Sequence, residues 1–200
     1  GAVAGWMTLH ERFGKLPLEG VMAPAIRYAE EGYPVTPNIS RLWQEAFENY
    51  SKYRDRPEFQ GWFDTFAPNN TWLKPGEMFR CPDMAKTLKE IAATKGESFY
   101  RGAIAEKIDA FFKKHNGFLT KEDLAAFKPE WVDPISVNYH GVDVWELPPN
   151  GHGITVLMAL QILKDMKLGE RDCVDTMHKQ IEAMNSPWWI RLNTLQSLPT

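Results

Sequence analysis

Two short β-branched runs around a tight turn limit what this chain can become. Ile135 to Tyr139 places apolar residues at 135, 137 and 139, the alternation of a strand with one face turned inward. Val142 to Trp145 follows after only His140-Gly141, and Gly141 tolerates the positive φ of a two-residue hairpin turn. Leu147-Pro148-Pro149 ends the second strand, because proline offers no N–H to a ladder. Asn150-Gly151-His152-Gly153 is then a flexible loop. Ile154 to Met166 is apolar almost all round and reads as a helix buried on most sides, forming the core with the hairpin. No other stretch carries strand period, so the expected fold class is α+β: a mostly helical fragment with a small antiparallel β-element.

The remaining elements are read from their ends. Residues 2–13 form a helix stopped by Gly14, and Leu18 to Glu31 forms a second with Gly32 as its stop. The second carries Val21, Ala25, Tyr28 and Ala29 on one side, and Pro24 inside it predicts a break or kink. Thr36-Pro37 is an N-cap with proline at the first helical position, opening a helix to about Tyr50 with Ile39, Trp43 and Phe47 on one face. Pro82-Asp83 opens another, to Thr94, with Met84, Leu88, Ile91 and Ala92 aligned. Residues 103–114 align Ile104, Ile108, Phe111 and Phe112. Thr120 with Asp123 reads as a capping box for a short helix to Phe127. A last helix runs from Cys173 to Met184, and residues 185–200 show no period.

Residues 51–79 interleave Tyr53, Phe59, Trp62, Phe63, Phe66, Trp72 and Phe79 with prolines and glycines. Such rings can form a platform for a planar ligand. An irregular loop anchored by its own rings is the favoured reading, because scattered aromatics more often pin loops.

Totals exclude several functions. The 200 residues are 44% hydrophobic and 24% charged with net charge -3, which is a globular composition long enough for one cored domain. No basic stripe suits nucleic acid, and no apolar run approaches the ~18 residues of a membrane span. Cys81 and Cys173 stand far apart without histidine-rich surroundings, so no metal is expected; whether they pair is left open. His10, His115, His140, His152 and His178 are scattered, and no Asp/Glu pair stands out as acid and base. Gly151-His152-Gly153 between strand and helix resembles a dinucleotide loop, but position 156 is Val where a third glycine belongs, so no cofactor is expected. A looser role survives: the N–H groups of Asn150, Gly151, His152 and Gly153, at a helix N-terminus, can hold a substrate carboxylate. An ordinary helix-entry loop is the favoured alternative. No catalytic residue is assigned.

Taken in order, the motifs resemble the gamma-glutamyltransferase (gamma-glutamyltranspeptidase) family. The pieces are Gly1-Ala2-Val3-Ala4-Gly5-Trp6, Leu16-Pro17, Val21-Met22-Ala23-Pro24-Ala25-Ile26 and Ala29-Glu30-Glu31-Gly32. Phe99-Tyr100-Arg101-Gly102, Gly117 to Ala125, Pro134-Ile135, Tyr139-His140-Gly141 and Leu147 to Gly153 complete the series. The resemblance implies a part of the αββα sandwich of N-terminal-nucleophile hydrolases, made as one precursor that cleaves itself into a large and a small subunit. The implied nucleophile is the small subunit's N-terminal Thr, whose hydroxyl attacks a γ-glutamyl amide while its α-amine acts as base. Residues 1–184 match the later part of the large subunit; the nucleophile and the carboxylate-holding Arg fall on no position of this sequence. The start at Gly1 is read as that of a fragment or processed chain. The implied partners are the small subunit or remainder of the precursor and a γ-glutamyl small molecule such as glutathione. The family leaves periplasmic, secreted and cytoplasmic locations open. A stand-alone helical interaction or ligand-binding module is the alternative from another class.

Residues 185–200 depart from the family, which continues with a K-L-A-x-x-D pattern. Back-translated and shifted by two bases, the codons of Trp188, Trp189 and Ile190 give Val-Asp, and permissive neighbours restore the family pattern. The expectation is a frameshift near codon 185 and an aberrant tail over 185–200.

Overall fold

The computed structural model describes residues 1–148 and 151–196, with side chains as far as Pro187. The chain divides into two compact units, Gly1–Pro129 and Glu130–Thr200.

The first unit is built on helices. Its elements are α1 (Ala2–Phe13), α2 (Leu18–Glu31), α3 (Pro37–Tyr50), α4 (Gln60–Phe66), α5 (Pro82–Ala93), α6 (Glu97–Arg101), α7 (Ala103–Lys114) and α8 (Lys121–Ala126). Local chemistry sets most of the ends. The Thr36 hydroxyl accepts from the Ile39 N–H at 3.4 Å, with Pro37 starting α3. The Thr120 hydroxyl accepts from Asp123 N–H at 3.2 Å while the Asp123 carboxylate accepts from Thr120 N–H at 2.9 Å, a complete capping box. Gly32 and Gly96 end α2 and open α6 with φ of 93° and 82°, conformations that side chains disfavour. Gly14 also ends its helix, but in extended rather than left-handed conformation.

The core of this unit is Val3, Met22, Ile91, Ala92, Tyr100 and Ile104, with α2 packed along α5. The buried Tyr100 hydroxyl accepts the Ala4 N–H at 3.0 Å, and Phe127 stacks on the Tyr100 ring at 5.6 Å. Asp109, buried on α7, ties two helices together. It accepts from Lys113 Nζ at 2.7 Å and from the Lys121 N–H, at the start of α8, at 3.2 Å.

Several expectations need correction here. α2 runs through Pro24 as one helix. The carbonyl that Pro24 leaves without a donor, on Gly20, lies on the exposed side, where water can replace the bond. The buried face of α2 is Leu18, Met22, Ile26 and Ala29, while Val21 and Tyr28 are 51% and 52% exposed. Met84 and Ile39 are likewise exposed, and Ala85 and Ser40 are buried in their place on α5 and α3. The hairpin is not the only β-structure: β1 (Tyr33–Pro34) pairs antiparallel with β2 (Met78–Phe79). This pair closes the aromatic segment on itself. Trp43 meets Phe79 at 4.8 Å, Tyr50 meets Trp62 at 4.7 Å, and Phe66 stacks on Phe79 at 5.8 Å. The rings are therefore occupied by one another, as the loop-anchoring reading expects.

The second unit holds β3 (Ile135–Tyr139), β4 (Val142–Glu146), α9 (Gly153–Leu163) and α10 (Val174–Gln196). The hairpin register pairs Ile135 with Glu146 and Tyr139 with Val142. His140 and Gly141 turn with φ of 50° and 87°, the two positive values of a type I′ turn. Asn138 supports the turn, accepting the Gly141 N–H at 3.2 Å and donating to Asp143 at 2.7 Å. α9 packs on both strands and along α10, burying Thr155, Leu157, Ala159 and Leu163. The hairpin and α9 thus form the core of this unit only. α10 is longer than the sequence suggests: it continues past Met184 through Pro187 to Gln196, and Pro187 is fully buried. The side chains of Trp188, Trp189 and Ile190 lie outside the described residues.

Candidate functional site

The loop singled out from sequence joins β4 to α9. Asn150 lies outside the described residues. Gly151 and His152 are exposed and Gly153 is half-buried. His152 is the N-cap residue of α9; its carbonyl accepts the Thr155 N–H at 3.0 Å, and its side chain makes no cap bond to the helix. The first turn of α9 carries no acidic residue. Helix N-termini in general leave N–H groups unpaired and favour negative charge.

Two further residues meet there that sequence did not single out. Glu146, the last residue of β4, lies against Gly153. A Cβ at Gly153 would stand 2.5 Å from Glu146 Oε2, 2.7 Å from its Cβ and 2.8 Å from its Cδ. Thr155, in the same first turn, is only 3% exposed, and among the described residues its hydroxyl oxygen has no hydrogen-bond partner. Its signal in the sequence was no more than a polar interruption of an apolar helix.

The other chemical groups do not converge. Among the described residues no three His, Cys, Asp or Glu side chains are grouped to hold a metal. Among the described residues no helix is long and apolar enough to cross a membrane. His10 Nε2 bonds to the Leu16 carbonyl at 2.8 Å, and the His115 ring packs on Phe111 at 4.6 Å. Both cysteines are free, and they belong to different units. Cys173 immediately precedes α10, and the Thr176 hydroxyl and N–H, at 3.3 and 3.4 Å, hold its thiol below the usual range. The first unit has a cavity of about 800 Å³ floored by Met7, Ala92, Tyr100 and Phe127, with charges of both signs on its rim.

Comparison with known proteins settles the family. The gamma-glutamyltranspeptidase family model matches residues 1–194. The glutathione hydrolase-like YwrD proenzyme of Bacillus subtilis is 30% identical over 186 residues, covering 92% of this chain and 34% of that protein. The crystal structure of cephalosporin acylase from Bacillus halodurans superposes with a TM-score of 0.91 at 51% identity, covering 94% of this chain and 35% of that one. The gamma-glutamyltranspeptidase of Helicobacter pylori superposes with a TM-score of 0.84 at 28% identity, covering 94% of this chain and 53% of that one. The chain spans about a third of the length of the curated relatives it matches. By the family-model match over residues 1–194 and these relatives, the chain belongs to the gamma-glutamyltranspeptidase family.

Proposed function

We propose that this chain is the large-subunit portion of a gamma-glutamyltransferase-like enzyme of the N-terminal-nucleophile class, which transfers or hydrolyses γ-glutamyl groups. Its partner is a second subunit cut from the same precursor, which brings the nucleophilic Thr. The match across residues 1–194, to relatives named as proenzymes, carries this reading. In the assembled enzyme the hairpin joins the central sheets of the sandwich, and the turn from Gly151 to Gly153 contributes N–H groups to a substrate carboxylate. Under this reading the catalytic step belongs to the partner, and this chain shapes and closes the site.

A second reading has its own support. The 51% identity with a cephalosporin acylase favours an amide acylase, whose acyl group need not be γ-glutamyl. Both readings break an amide bond and transfer its acyl group.

A chimera tests both. Residues 1–184 replace the matching segment of the Bacillus halodurans acylase, and the product is offered a γ-glutamyl anilide and an N-acyl cephalosporin amide. Self-cleavage into two subunits followed by turnover is expected, and the preferred amide separates the two readings. A chimera that melts cooperatively yet neither cleaves nor turns over either amide refutes the assignment. The 200-residue chain alone is expected to release nothing above a buffer blank.

A further inference from the structure

We propose that Glu146 is a built-in competitor at the N-terminal turn of α9, covering that turn against external carboxylates until it swings aside. The inference deepens the carboxylate-holding role proposed for this turn and rests on it.

Three observations meet at one place. α9 begins with no acidic residue and no side-chain cap, so its N-terminal partial charge is uncompensated by its own sequence. The Glu146 carboxylate lies beside Gly153, in the space a side chain there would fill. Among the described residues that carboxylate makes no hydrogen bond or ion pair, so no other contact holds it. Finally, the first turn holds a buried hydroxyl, on Thr155, with no partner among the described residues. Cα–Cβ bonds in a helix tilt toward the N-terminus, so the Thr155 side chain leans toward the same turn. A buried donor without an acceptor is costly, and it marks a place where an acceptor fits. A carboxylate bound there would take the amides of the first turn and the Thr155 hydroxyl together. With Glu146 in place, its own carboxylate occupies the approach.

Gly153 fits this account. Its φ is not among the positive values, so glycine is not needed there for backbone conformation. It is needed for space, because any Cβ would collide with the Glu146 side chain. The ligand class is a monocarboxylate, the group carried by an amino acid or a γ-glutamyl compound.

The test uses the full 200-residue chain with acetate as probe. The amide signals of Gly153 and Ile154 are followed by NMR at constant ionic strength, in the native chain, in Glu146→Gln and in Glu146→Ala. Glu146→Gln keeps the size and removes the charge, so a folding defect of the alanine variant cannot mask the result. The expected outcome is a saturable shift in both variants, with an apparent acetate affinity at least tenfold above that of the native chain. Adding Thr155→Val to Glu146→Ala should weaken that binding severalfold. Equal saturation in the native chain and the variants overturns the competitor role while the carboxylate site survives. No saturable shift in either variant overturns the carboxylate site itself, and the competitor with it.

Discussion

Thr155→Val isolates the energetic cost of the buried hydroxyl in the first turn of α9. Valine and threonine have nearly the same shape and similar helix propensity, so backbone and packing stay nearly constant. The substitution exchanges an O–H that has no partner among the described residues, on a residue 3% exposed, for a methyl group. An unsatisfied buried hydroxyl costs roughly 1–3 kcal/mol, and part of that returns when the group is removed. A net gain of about 1 kcal/mol corresponds to a rise in Tm of roughly 2–4 °C for a chain of this size. Thr176→Val is the matched control. Thr176 is also buried, but its hydroxyl is bonded to Cys173 Sγ at 3.3 Å, so the same exchange should lower Tm. The assay is far-UV circular dichroism with a heat ramp and a urea series on all three proteins. A lower Tm for Thr155→Val, by as much as for Thr176→Val, would show that the Thr155 hydroxyl is engaged in the folded chain and would refute the reasoning.

Other outcomes follow from packing and charge. Leu157→Ala, at a buried position of α9, should cost about 2–5 kcal/mol in urea denaturation, and Leu160→Ala, at a half-buried one, clearly less; equal losses would mean that α9 is not oriented as described. The Lys113 ammonium, and next the Lys121 N–H, hold the Asp109 carboxyl below its ordinary range. Its contribution is therefore complete above the unfolded value of about 4 and lost as pH falls through the lower folded value, so the Tm gap between the native chain and Asp109→Asn should be widest near neutrality and close on acidification. Ending the chain at Met184 separates two views of residues 185–200. A frameshifted tail that packs nowhere leaves Tm unchanged, whereas the buried Pro187 leads us to expect a fall of several degrees.

The parts of the fold that sequence revealed are those decided within a few residues. The hairpin, the Thr36 and Thr120 caps and the stop at Gly32 each depend on neighbours in the chain, and each stands where its residues indicate. The face of α2 was not fully legible, because Leu18, Val21, Met22, Ala25, Ile26, Tyr28 and Ala29 form an apolar stripe wider than the part that is buried. Packing against α5 chooses among these stripes, and that choice is made by another part of the chain. The pairing of Tyr33–Pro34 with Met78–Phe79 is similar, since strands of two residues carry no period to read. α10 shows the reverse case: a proline that local rules treat as a terminator is carried within a helix by its burial.

The candidate site divides along the same line. The loop from Asn150 to Gly153 was visible because prolines, glycines and the start of an apolar helix are local signals. Glu146 was not, because nothing in its neighbourhood distinguishes it from any exposed strand-end carboxylate. Its meaning arises only when the fold brings the start of α9 against the end of β4. The same approach changes the meaning of Gly153. In the sequence it is one glycine of a flexible loop, valued for conformational freedom, whereas in the fold its φ is ordinary and its lack of a side chain is what matters. Thr155 is reinterpreted in turn: a polar gap in an apolar pattern becomes a buried donor awaiting an acceptor. Each of the three residues is unremarkable alone, and the chemistry of the turn lies in their meeting. Glu146→Gln with acetate, and Thr155→Val without it, therefore probe one arrangement from two sides. The first asks what the turn can bind, and the second asks what it costs the chain to hold the turn unoccupied.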